Sequence, residues 1–177
     1  HLGGASLNCI NFVVPMNPCP CGNYPDYNRC TCTPAQVQQY LGKVSQPFLD
    51  RIDICVEAPR IAYEELAEGK KQESSAMIRE RVFLARKVQL KRYEDRRILT
   101  NSMLDVSELK EFCDLGRREE LLMRKAFVSL GLTARTYHKI LKVARTIADL
   151  DGCEKIREHH LKEAISYRTI DKKYWGR

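Results

Sequence analysis

No apolar run in this 177-residue chain comes near the roughly 20 residues that a bilayer-spanning helix needs, so a helical membrane protein is excluded. The chain opens on His1 rather than Met, and no basic stretch followed by an apolar one stands near the start. No secretory signal is expected, and a piece of a longer protein is. Internal repeats and low-complexity tracts are absent, which excludes solenoids and biased, disordered chains. The phosphate-binding loop Gly-x4-Gly-Lys-Ser/Thr is missing too. Its nearest approach, Gly69-Lys70-Lys71, has neither the first glycine nor the hydroxyl.

What is present is the composition of a folded domain: 44% hydrophobic and 30% charged residues. The length suits one large domain or two small ones. The net charge of +7 is unevenly placed. Residues 1–60 hold Arg29, Lys43, Arg51 and Arg60 against Asp26, Asp50, Asp53 and Glu57, so the whole excess lies in residues 61–177. That asymmetry fits either a polyanionic partner, such as nucleic acid or nucleotide, or a solvated helical surface.

Eight cysteines are too unevenly spread for a secreted disulfide framework. Cys19, Cys21, Cys30 and Cys32 form Cys-x-Cys, eight residues, Cys-x-Cys. Four thiolates so close in sequence can close a tetrahedral zinc site in a reducing cytoplasm. The spacing departs from the usual Cys-x2-Cys, and an iron–sulfur cluster or four reduced thiols are the alternatives. Four cysteines leave no open coordination position, so any metal here is expected to be structural. Cys9, Cys55, Cys113 and Cys153 sit among apolar neighbours and read as small core residues.

Along the chain, residues 10–16 (Ile-Asn-Phe-Val-Val-Pro-Met) read as a strand that ends at the turn signal Asn17-Pro18. A loop over 17–33 follows. Thr33, Pro34 and Gln36 then spell a capping box with proline in the first turn, and Gly42 lies near the end of that helix. Residues 52–56 (Ile-Asp-Ile-Cys-Val) read as a second strand, stopped by Pro59. Residues 67–73 look like a linker, and every convincing segment after it is helical. Ser74 or Ser75 caps a long helix to about Arg97, with Ile78, Val82, Ala85 and Val88 on its core face. Leu109 and Phe112 mark a short helix, and Leu121, Leu122, Ala126 and Leu130 mark another, closed by Gly131. The strongest amphipathic pattern runs from Thr133 to just before Gly152; Leu161, Ala164 and Ile165 mark a last short helix.

Three stretches carry a resemblance. They are Asn17-Pro18-Cys19-Pro20-Cys21-Gly22 with Cys30-Thr31-Cys32-Thr33-Pro34; Pro47-Phe48-Leu49-Asp50-Arg51-Ile52-Asp53-Ile54; and Gly131-Leu132-Thr133-Ala134-Arg135-Thr136-Tyr137-His138, leading into Lys142-Val143-Ala144-Arg145. With Ile78-Arg79-Glu80-Arg81-Val82 and the tail Tyr167-Arg168-Thr169-Ile170-Asp171, they resemble the ComM/YifB branch of the magnesium-chelatase-like AAA+ ATPases over nearly the whole chain. The fold this implies is α+β but mostly α. Residues 1–66 are the end of an AAA+ αβα core, contributing two strands and the Cys-rich loop; 67–73 are a linker; 74–177 are a helical lid. The family's protease-like N-terminal domain, phosphate loop and acidic magnesium-holding segment are not in this sequence, so the chain alone is not expected to hydrolyse ATP.

The resemblance also assigns roles. Asn17 becomes sensor 1, a short neutral side chain that orients water beside the γ-phosphate; on its own it is also a common Asn-Pro turn residue. Arg51 becomes the arginine finger, acting in trans on a neighbouring subunit's nucleotide, with Asp50 to hold it; by position alone it reads as half of a surface ion pair. Arg135 becomes sensor 2, acting in cis, or else a solvated helix-face arginine. Its place in a first turn opposes the helix dipole, and Arg145 is the substitute one face further along. The basic residues of 79–97 suit either DNA phosphates or an exposed lid face. His138, His159 and His160 read as helix surface. The function implied is a cytoplasmic, homo-hexameric ring motor that uses ATP and magnesium to act on DNA in branch migration, with no membrane association. The alternatives are a non-catalytic zinc-stabilised nucleic-acid-binding module and a magnesium-chelatase motor subunit.

Overall fold

The Thr33 hydroxyl accepts the Gln36 N–H at 3.3 Å while the Gln36 side chain accepts the Thr33 N–H at 2.8 Å, so the first helix begins where the sequence places it. The computed structural model describes residues 12–58, 63 and 73–176. They fall into two compact units divided between Val44 and Ser45.

In the first unit, residues 12–17 form no regular element, residues 18–29 fold through successive turns and bends, and helix α1 spans Pro34–Leu41, burying Val37 and Leu41. Four backbone bonds shape the turns: Gly22 N–H to Cys19 O at 3.0 Å, Asp26 N–H to Asn23 O and Cys30 N–H to Asp26 O, both at 2.8 Å, and Arg29 N–H to Asp26 O at 3.1 Å. They carry Cys19 to the centre of the loop, where it is fully buried.

The second unit is helical. It comprises α2 (Gln46–Leu49), α3 (Ser75–Arg92), a 3₁₀ turn (Asn101–Met103), α4 (Val106–Phe112), α5 (Arg117–Leu130), α6 (Ala134–Leu150) and α7 (Glu158–Trp175). Helix α6 lies at its centre and packs against α7, α3, α4 and the 3₁₀ turn, while α5 packs on α7. Thr133 caps α6, which buries Ile140, Leu141, Ala144, Ile147 and Ala148 against Tyr93, Leu104, Leu109, Met123 and Leu161. Gly131 ends α5 at φ 62°, a left-handed conformation that costs an L side chain about 1–2 kcal/mol. No helix among the described residues is long and apolar enough to cross a membrane.

Four expectations are corrected. Neither expected strand is present among the described residues: 12–16 and 52–56 form no regular element, with a bend at Asp53, and residues 10 and 11 lie outside them. A strand is completed by the ladder bonds of a neighbour, which two isolated runs do not supply. The mostly helical character stands. Secondly, α3 ends at Arg92 rather than near Arg97, because the buried Tyr93 turns inward and donates its hydroxyl to Asn101 Oδ1 at 2.7 Å. Thirdly, Ile78, Val82 and Val88 are 42, 47 and 39% exposed, while Ala85 and Gln89 are buried. Polar bonds decide which face of α3 turns inward: Gln89 and Arg92 both donate to Asp149 of α6. Lastly, α7 is a long helix, not a short one. The expected linker lies outside the described residues except for Glu73.

Candidate functional site

Helix α6 places Arg135, His138, Lys139 and Lys142 at intervals of three and four residues, hence on one face of its first turns. With Arg51 they line a cavity of about 490 Å³ in the second unit. Two of the residues singled out in the sequence, Arg51 and Arg135, therefore share one cavity. All five lining side chains are basic and none is a carboxylate, so the cavity suits an anion and not a divalent cation. Sequence reasoning missed Lys139 and Lys142 and left His138 as plain surface. The spacing Arg-x2-His-Lys-x2-Lys was the available signal.

The cavity's side chains are held from below. Lys139 Nζ donates to the Arg51 carbonyl at 2.5 Å and to Asp53 Oδ1 at 2.6 Å. Lys142 Nζ donates to Ser102 O at 2.9 Å, and its burial pushes its pKa down. The Arg51 guanidinium is exposed and donates to Pro47 O at 2.6 Å, one turn back. Beneath this turn Arg168 of α7, 4% exposed, donates to Ile52 O at 2.8 Å and to Leu49 O at 3.4 and 3.5 Å.

Arg145, the substitute for Arg135, lies elsewhere. It is 2% exposed and donates to Glu154 O at 2.7 Å, Cys153 O at 2.6 Å and Asp149 Oδ1 at 3.1 Å, so it is a structural residue. His160 is buried rather than on the surface. Its Nδ1 accepts the Arg157 N–H at 2.9 Å, which leaves Nε2 to donate to Asp151 at 3.1 Å. Asp151, His159 and His160 come close enough together to suggest a metal site, but a ring whose Nδ1 already accepts a backbone proton carries its own on Nε2 and presents no lone pair there. Of the basic residues in 79–97, Arg92 is bound to Asp149, while Arg81 and Arg96 pair with Glu73 and Glu111, each at 2.7 Å. Of the four scattered cysteines, Cys113 is buried, Cys55 and Cys153 are half-buried, and Cys9 lies outside the described residues.

In the first unit, Asn17 is exposed, and its amide lies against Gly22, where a Cβ would sit 3.7 Å from Asn17 Cγ. The four clustered cysteines converge behind it, all sulfurs within 4.8 Å of one another. Cys19 Sγ is 3.4 Å from Cys21 Sγ and 3.8 Å from Cys30 Sγ, and Cys21 is 3.6 Å from Cys30. Those separations are far longer than a disulfide of about 2.05 Å. They match the tetrahedron edge of about 3.8 Å that four Zn–S bonds of about 2.3 Å define, so these residues fit zinc. Tyr24 N–H points at Cys19 Sγ at 3.4 Å. The Asn23 amide favours the Cys21 thiolate and brings its pKa to about 5. At Cys30 the Cys32 amide works the same way, but desolvation and the Cys21 and Cys19 sulfurs outweigh it, and the thiol is pushed up to about 12. Four sulfurs this close do not all ionise without a cation between them.

The two halves of the chain match two models of one family: "Magnesium chelatase, subunit ChlI" over residues 7–66 and "Magnesium chelatase, subunit ChlI C-terminal" over residues 72–168. The chain belongs to this magnesium-chelatase-like family. Within it, similarity runs to the YifB and ComM proteins. YifB of Escherichia coli is 41% identical over 168 residues, 92% of this chain and 31% of the relative; the competence protein ComM of Haemophilus influenzae is 40% identical over 162 residues, 91% and 31%. A Mycobacterium tuberculosis protein is 32% identical over 161 residues, again 31% of its length. The chain thus spans about 31% of the curated relatives it matches.

Proposed function

We propose that this chain supplies the nucleotide-sensing residues of an AAA+ ring ATPase that acts on DNA, and that its basic cavity receives the phosphates of ATP. The observation that carries this reading is the sharing of one all-basic cavity by Arg51 and Arg135. Guanidinium forks bind phosphate oxygens bidentately and stay charged at any physiological pH. The family membership and the similarity to a competence protein support the motor role and, with it, magnesium, a homo-hexamer and a DNA substrate. Because Arg51 and Arg135 face one cavity, we assign both to the same nucleotide, bound by the adjoining subunit, in place of the cis role that the resemblance implies for Arg135. Asn17 then serves as sensor 1 for the nucleotide bound by its own subunit.

Zinc is the metal assigned to Cys19, Cys21, Cys30 and Cys32, in a structural role: it ties together a unit whose other buried apolar residues, among those described, are Val37 and Leu41 of α1. A nucleic-acid-binding role for the Cys-rich unit itself is less favoured. Its described residues carry only Arg29 and Lys43 against Asp26, too little charge to hold a phosphate backbone. The chelatase role takes its support from the family's name, and the similarity to YifB and ComM at about 40% identity weighs against it.

The deciding experiment is ATP turnover by the full-length polypeptide, with and without branched DNA. Arg51→Ala and Arg135→Ala are each expected to lower DNA-stimulated turnover by up to about 10³-fold while nucleotide still binds. Unchanged turnover in both variants overturns the reading.

A further inference from the structure

The turn that carries Arg51 makes few apolar contacts of its own. Leu49 is buried, but Gln46, Pro47, Phe48, Arg51 and Asp53 are exposed, and α2 is a single turn too short to be stable alone. The last carbonyls of such a helix need donors from elsewhere. Here they come from the two central helices of the bundle. Arg168, in α7, spans the Leu49 and Ile52 carbonyls, one on either side of Arg51. Lys139, in α6, takes the carbonyl of Arg51 itself together with the Asp53 carboxylate. Three carbonyls within four residues are thus fixed by two cations from two helices. Arg168 is buried and is not among the residues lining the cavity, so its bonds to the turn, and not a contact with a ligand there, connect it to the site.

We propose that Arg168, with Lys139, is a positioning residue that clamps the Arg51 turn to the helical bundle, so that the Arg51 guanidinium meets an anionic polyphosphate in the same cavity as Arg135. This rests on the reading of that cavity given above. The clamp makes Arg51 part of the bundle that bears Arg135, and the two guanidiniums move as one body. Arg168 acts only through Arg51; it touches no ligand.

The test is a double-mutant cycle in the 177-residue chain, reading the affinity for inorganic tripolyphosphate by titration calorimetry, with thermal melting recorded for each protein. Wild type binds, and Arg51→Ala weakens binding about tenfold. Arg168→Met, which keeps bulk but loses the carbonyl bonds, weakens it by a similar factor. In the Arg51→Ala background it causes no further loss, because there is no longer a guanidinium to position. Arg168→Lys keeps one donor group and restores part of the affinity; should Arg168→Met not fold, Arg168→Lys completes the cycle. If wild type does not bind, or Arg51→Ala binds as well as wild type, the reading of the cavity fails and the clamp with it. If Arg51→Ala weakens binding but the Arg168 variants leave it unchanged, or add their full effect on top of Arg51→Ala, the cavity stands and the clamp is overturned.

Discussion

The Asp149 carboxylate accepts from both terminal nitrogens of Arg92, at 3.0 and 2.5 Å, and is itself completely shielded from solvent. It also accepts from Asn101 Nδ2 at 2.8 Å, Arg145 Nε at 3.1 Å and Gln89 Nε2 at 3.2 Å. One buried anion thereby joins α3, the 3₁₀ turn and α6. Asp149→Ala leaves two guanidiniums without their counter-charge in the interior, and about 3–5 kcal/mol of stability is expected to be lost in urea denaturation. The exposed pair Arg96–Glu111 serves as the control, since Glu111→Gln is expected to change stability by no more than about 1 kcal/mol.

Two arginines on the same helix are expected to separate binding from folding. Arg135→Ala removes an exposed side chain from the cavity rim. It is expected to weaken tripolyphosphate binding about tenfold while melting stays within about 0.5 kcal/mol of wild type. Arg145→Ala opens the buried network and is expected to cost about 3–5 kcal/mol in the same melt. The affinity of whatever remains folded should be unchanged. Anion affinity lost with Arg145 rather than Arg135 would reverse the assignment.

Protein purified without chelator is expected to hold about one zinc per chain by elemental analysis. Cys21→Ser and Cys32→Ser are each expected to lose it. Chelation should make the loop over 17–32 sensitive to protease while the melting of the helical unit is unchanged. Visible absorbance with bound iron would point to a cluster instead, and four freely titrating thiols with no metal would remove the site altogether.

Acid should weaken the helical unit through His160. Burial, helped by His159, holds its pKa below the ordinary histidine value of about 6.5, and the Asp151 carboxylate only partly opposes this. The unfolded chain therefore takes up this proton first as pH falls. Stability is complete above pH of about 6.5, declines below it, and levels off under the folded-state pKa. Melting between pH 8 and 5 should show that decline, and His160→Gln should flatten it.

Gly131→Ala tests the α5–α6 turn. Nothing lies within 4 Å of the added Cβ, so the whole cost is backbone strain, about 1–2 kcal/mol in chemical denaturation. Gly131→Asn should recover part of it, because asparagine tolerates the left-handed region better than alanine does.

Where chain-local chemistry decides a feature, the sequence was a sufficient guide. The Thr33 capping box, the Ser74 and Thr133 caps, the Gly131 stop and the amphipathic α6 all depend on residues within a few positions of one another. Contacts between distant residues were not legible. The buried face of α3 is chosen by Asp149, some sixty positions away, which overrode the apolar stripe of Ile78, Val82 and Val88. The runs over 12–16 and 52–56 have the composition of strands, but a ladder needs a partner strand that composition does not supply. In the candidate site, motif points to Arg51 and Arg135 but not to Lys139 or Arg168: both bond backbone carbonyls, which leave no mark on the sequence, and the Asp53 partner of Lys139 lies 86 positions away.

Helix α6 bears the anion-facing residues on its first turns and Asp149 on its last. At about 1.5 Å per residue, Arg135 and Asp149 stand roughly 21 Å apart along one unbroken rod. Its far end is held by buried ion pairs that reach α3 and by a bond to the 3₁₀ turn. The helix that presents most of the cavity's cations is thus moored at the opposite end of the bundle, by a carboxylate that does not line the cavity.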